Sequence, residues 1–101
     1  MNDKTTEAYN YYKKQHTPFI IFFRVGDSYR AFFEDASKIS ALTGSPMADE
    51  AVAFPCGRIL DVVALLAEKG LMSKIISVRN ETGEFAIPDV KNIDMESEMD
   101  Y

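Results

Sequence analysis

A chain of 101 residues, 47% of them apolar, suits one domain with a modest core and not two. Its single cysteine, Cys56, excludes an internal disulfide framework and fits a reducing, cytoplasmic compartment. The net charge of −5 argues against strong non-specific nucleic-acid binding, which depends on neutralising phosphates. The charge is unevenly placed. Asp89–Tyr101 carries five acidic residues and one lysine, whereas Met1–Lys38 holds six cations and five anions. Met1–Lys14 is too polar for a signal peptide, and the longest apolar run, Phe19–Phe23, is too short to cross a bilayer. A soluble protein is expected.

In chain order, Asp3–Gln15 reads as a helix that Asp3 or Thr5 could cap, with Ala8, Tyr9, Tyr12 and Gln15 along one side. Thr17-Pro18 ends it, because the residue before a proline avoids the helical region. Phe19–Phe23 is an apolar run of strand length, suited to a central strand buried on both faces. Val25-Gly26-Asp27 is a turn, and Ser28–Phe33 a second strand closing a hairpin. Glu34–Thr43 reads as a helix with Ala36, Ile39 and Leu42 or Thr43 inward and Gly44 as its stop. Ser45–Glu50 is a polar loop, and Ala51–Phe54 a short strand closed by Pro55 and Gly57. Arg58–Lys69 is the clearest helix, with Ile59, Val62, Val63 and Leu66 at i, i+3, i+4 and i+7. Met72–Arg79 is a strand. Asn80–Gly83 turns into a last short strand, Glu84–Ile87, whose exposed edge could pair two copies. The order αββαβαββ implies one α/β domain, a mixed sheet with packed helices, over residues 1–90. Residues 91–101 read as an acidic tail, disordered or partner-binding.

Catalytic signals are sparse, and no enzyme is expected. His16 is the sole histidine, and nothing in the spacing brings it to Cys56, which reads as a small buried hydrophobe. No phosphate-cradling glycine motif and no metal-ligand spacing occurs, so no cofactor, nucleotide or metal is expected. Glu34-Asp35 reads as an acidic pair favouring a helix N-terminus. Strand alternation puts Ser28, Arg30 and Phe32 on one face and Tyr29, Ala31 and Phe33 on the other, core-facing side. By composition alone, Arg24 and Arg30 form a solvated edge with surface salt bridges.

A family resemblance rests on Tyr12-Lys13-Lys14-Gln15-His16, Ile21–Tyr29 and Phe32–Ala36. These segments resemble the opening of MutS mismatch-repair proteins, which runs roughly K-x-Q-H-P, then L-F-F-R-M-G-D-F-Y-E-L-F, then E-D-A. Val52–Pro55, Leu65–Gly70 and Ile75–Val78 are similar to later segments in the same order. The resemblance spans about residues 9–80, and its F-F-R-x-G-D core is the specific part. It implies a MutS N-terminal-like (domain I) mixed-sheet domain that contacts DNA from the minor groove. There a phenylalanine wedges beside the mispaired base and a glutamate two residues on hydrogen-bonds it, the kind of apolar wedge minor-groove proteins use.

The departures fall on those two positions. Ser28 stands at the wedge and Arg30 at the glutamate. A serine cannot unstack a base, and an arginine reverses the charge. The family's L-T-x-R-G stretch is replaced by the shorter, acidic Thr43–Glu50, and Gly57 stands where the family has a histidine. The family's connector, lever, clamp and ATPase are not in these 101 residues, so ATP-driven repair is not expected of this chain alone. Two binding readings follow. In one, Lys13, Lys14, Arg24, Ser28 and Arg30 contact double-stranded DNA without mismatch specificity. In the other, the same face binds a protein partner and no DNA. A continuous basic stripe would favour the first, and isolated cations beside aromatic residues the second. Neither involves a membrane.

Overall fold

The computed structural model of the chain describes residues 3–90; the acidic tail expected over 91–101 lies outside them. Its elements are α1 (Asp3–His16), β1 (Ile20–Val25), β2 (Ser28–Phe32), α2 (Phe33–Thr43), β3 (Ala51–Pro55), a single 3-10 turn (Cys56–Arg58), α3 (Ile59–Glu68) and β4 (Ser73–Ile76). The strands form one mixed sheet in the order β3-β2-β1-β4, with β1 antiparallel to β2 and parallel to β4. The single α/β domain with a mixed sheet is as expected. The eighth element is not: Glu84–Ile87 contributes one bridge, Phe85 to Arg79, so it offers no strand edge for a second copy.

β1 explains the layering. Ile20, Ile21, Phe22 and Phe23 are all fully buried, which alternation permits only when both faces of the sheet are covered. Ile20 and Phe22 face α2 and α3, packing with Ala31, Ala36, Ile39, Val52, Val62 and Leu66. Ile21 and Phe23 face α1, packing with Ala8, Tyr9, Phe32, Ile76 and Val90. Phe32 is therefore core, not solvent-facing, because α1 covers its side of the sheet. Phe33 leaves the strand with φ 56° and turns its ring to Tyr9 on the same side, 5.1 Å between centroids. Thr5 lies inside the first turn of α1, so it is not the cap, and Gln15 is exposed. Leu42 is exposed as well, leaving Ala36 and Ile39 as the buried stripe of α2.

One ion pair ties the base of the sheet. β1 begins its ladder with β2 only at Phe23, so the buried Ile21 N–H needs another acceptor. The Asp35 carboxylate supplies it at 3.0 Å and also receives Lys13 Nζ at 2.8 Å. Asp35 is fully buried, so it does more than favour a helix N-terminus: it links α1, β1 and α2. Beside it, burial pushes the Tyr9 hydroxyl up to about 12, with the Asp35 and Glu34 charges adding to the rise. Among the described residues that hydroxyl has no partner within hydrogen-bonding distance, although Asp35 lies close enough to act on it. Burial raises Tyr12 too. Between α2 and β3, Asp49 and Glu50 both take positive φ (52° and 61°), and Ala48 and Ala51 exchange two backbone hydrogen bonds around them.

Candidate functional site

The β1–β2 hairpin turns on two residues, Gly26 and Asp27, after the last pair Val25–Ser28. Gly26 has φ 58°, a value a side chain makes costly. Two contacts fix the tip. The Cys56 N–H donates to the Asp27 carbonyl at 3.0 Å, and the Gly26 N–H donates to the Phe85 carbonyl at 2.9 Å.

On the α1 side of the sheet Phe23 and Phe32 are buried at the base, and Val25 packs partly into the same cluster with Val78 and Ile87. Toward the turn the β2–β3 part of this face is open, with Arg30, Ala53 and Pro55 exposed. β2 places Ser28 and Arg30 there, β1 adds Val25, and β3 adds Pro55 opposite Ser28 and Ala53 opposite Arg30. These side chains, with Asp27 and Phe54, line a shallow hollow of about 450 Å³. Ser28 Oγ donates to the Val25 carbonyl at 3.1 Å and accepts from Arg30 Nε at 3.4 Å. Arg30 is exposed and, among the described residues, has no carboxylate within ion-pair distance. The surface salt bridge expected from composition is absent there, because Asp27, the acid of the same hollow, does not reach it.

The other cations lie elsewhere. Arg24 alternates to the opposite face beside Tyr29; its guanidinium sits 4.0 Å from the Phe85 ring centroid and its Nε donates to the Gly26 carbonyl at 3.2 Å. Arg79 stacks on the same ring at 4.1 Å. Lys13 is drawn inward by Asp35 and the Phe19 carbonyl, leaving its side chain 17% exposed, so it is not a free surface cation. Lys14 is exposed in the last turn of α1, near the start of β1 and away from the hairpin turn. The structure thus brings Ser28 and Arg30 together, puts Arg24 on the far side of the same hairpin, and separates Lys13 and Lys14 from both. No continuous basic stripe joins the four cations.

Phe85 and Arg79 carry no sequence signal for this role, since the pairing depends on a loop folding back onto the turn. Cys56 is partly exposed rather than buried, because it opens the 3-10 turn at the hairpin end of the sheet. His16 lies before the start of β1, at the other end, so the two do not form a pair. No group of three or more His, Cys, Asp or Glu able to hold a metal occurs among the described residues. No helix among them is long and apolar enough to cross a membrane.

Comparison with known proteins gives one family. The family model described as MutS domain I matches residues 4–59, more than half of the chain and the whole lining of the hollow. A search of curated proteins found no match.

Proposed function

The chain belongs to the MutS domain I family, and from that premise we propose that it is a non-catalytic module that binds double-stranded DNA through the Ser28–Arg30 face and does not read mismatches. One observation carries this reading: the two positions that hold the family's wedge and glutamate stand on the open part of one sheet face, beside apolar walls, and no carboxylate among the described residues pairs with the arginine. The position is that of a groove-facing surface, but the chemistry differs. Ser28 gives no ring to insert between bases. Arg30 brings a cation suited to phosphates or to the negative potential of a narrow minor groove. Affinity then depends on salt and hardly on pairing errors.

Fluorescence anisotropy of labelled matched, mismatched and single-stranded DNA at low salt tests it. The expected result is duplex binding that weakens with salt and with Arg30→Ala, equal for matched and mismatched duplexes. A clear mismatch preference, or no binding, refutes it. A second reading, a protein-binding module, draws on the scattered cations and on the apolar share of the hollow, Val25, Ala53 and Pro55. Binding of a protein partner that Arg30→Ala weakens, with no affinity for any DNA, would select it.

A further inference from the structure

We infer that Arg24 and Arg79, both held against the Phe85 ring, form a phosphate grip for the DNA backbone beside the hairpin tip. This rests on the DNA reading above and adds a second contact to it. The Arg24 and Arg79 guanidinium carbons lie 4.0 and 4.1 Å from one ring centroid, so the two cations stand no more than about 8 Å apart. Two like charges at that separation repel, and no carboxylate among the described residues lies within ion-pair distance of either. Among the described residues, then, no carboxylate neutralises the pair.

The pair is also pre-organised. The ring takes one face of each guanidinium. One donor of each is tied to a carbonyl, Arg24 Nε to Gly26 at 3.2 Å and Arg79 Nη1 to Gly83 at 2.6 Å. The remaining N–H edges are free to point at a ligand, and planar guanidinium forks match phosphate oxygens. The Phe85 carbonyl accepts from the Gly26 N–H, so the pair is fastened to the turn itself. A hairpin tip directed at a minor groove about 6 Å wide has a sugar-phosphate backbone on each side. Arg30 then serves one flank of the hairpin, and Arg24 with Arg79 the other. Arg79 and Phe85 lie outside residues 4–59, the segment that the family model matches.

A plain structural strap, clipping residues 79–85 to the hairpin, would use the same stack. Salt dependence separates the two roles. Anisotropy of a labelled matched duplex is followed between about 50 and 200 mM salt for the full chain and for Arg24→Gln, Arg79→Gln and Arg79→Lys, Phe85 being kept throughout. Each Gln variant is expected to flatten the slope of log K against log salt by about 0.9 and to weaken binding on the order of tenfold, while Arg79→Lys keeps the slope. Thermal melting of each variant confirms that it is folded. Unchanged slopes in the folded Gln variants, with Arg30→Ala still weakening binding, overturn the grip and leave the DNA reading standing. No duplex binding by the wild-type chain overturns both.

Discussion

Replacing Lys13 by methionine keeps most of the aliphatic stem and removes only the ammonium. Among the described residues the fully buried Asp35 carboxylate then keeps one donor within hydrogen-bonding distance, the Ile21 N–H at 3.0 Å. Removing one partner of a buried ion pair costs about 3–5 kcal/mol. Because the lysine side chain is 17% exposed, water can partly replace it, which places Lys13→Met near the lower figure, about 3 kcal/mol. A domain of this size holds roughly 5–15 kcal/mol in total. The expected fall in melting temperature is then roughly 12–24 °C. Urea and thermal unfolding followed by circular dichroism measure the loss of stability and the fall in melting temperature, with Lys38→Met as the control. That lysine meets Glu34 at 3.7 Å with both side chains exposed, and its loss should cost about 0.5 kcal/mol or less. Adding Asp35→Asn to Lys13→Met removes the stranded charge but keeps an acceptor for Ile21, so the double variant should be more stable than Lys13→Met alone. If Lys13→Met costs no more than Lys38→Met, the pair is not the tie between α1, β1 and α2 described above.

Tyr9→Phe removes a buried hydroxyl that has no hydrogen-bond partner among the described residues, so at neutral pH it should be neutral or slightly stabilising. The folded state holds that phenol near 12 against an ordinary 10.0, so its stabilising effect is complete below pH 10 and is lost as pH rises toward 12. Wild type should therefore lose more stability than Tyr9→Phe across that window in alkaline urea titrations, and parallel curves would contradict the burial. Glu50→Gly should stabilise by about 0.5–1 kcal/mol, because two-residue turns with positive φ at both positions favour glycine second. Chemical denaturation measures it, and a loss would mean that the Asp49–Glu50 turn is misdescribed. Ser28→Phe with Arg30→Glu restores the family's wedge and acceptor. The ratio of mismatched to matched duplex affinity should rise above the wild-type value, and an unchanged ratio would show that these positions do not face a base.

Much of the fold was legible because its signals are local. The run Phe19–Phe23 announced a strand buried on both faces, and Ile59, Val62 and Leu66 announced the buried stripe of α3. Gly26 and Gly44 marked a turn and a helix stop, and both adopt positive φ there. What was not legible depends on partners distant in the chain. Asp35 looks like any acid at a helix start until the gap in the ladder at Ile21 shows why it is buried. Lys13 looks like a surface cation until Asp35 claims it. Phe32 looks outward by alternation until α1 arrives over it. The candidate site was half visible: alternation put Ser28 and Arg30 on one face, and the family resemblance gave that face a meaning. The stack on Phe85 was invisible, since it joins residues 24, 79 and 85 through a returning loop.

The most direct test of the central claim is a nuclear magnetic resonance titration of the isotopically labelled full chain with a short matched duplex and with its single-mismatch counterpart. The account predicts amide shifts concentrated at Val25–Arg30 and Ala53–Pro55, of the same extent with both duplexes. Shifts confined to another surface, or none with either duplex, would contradict it.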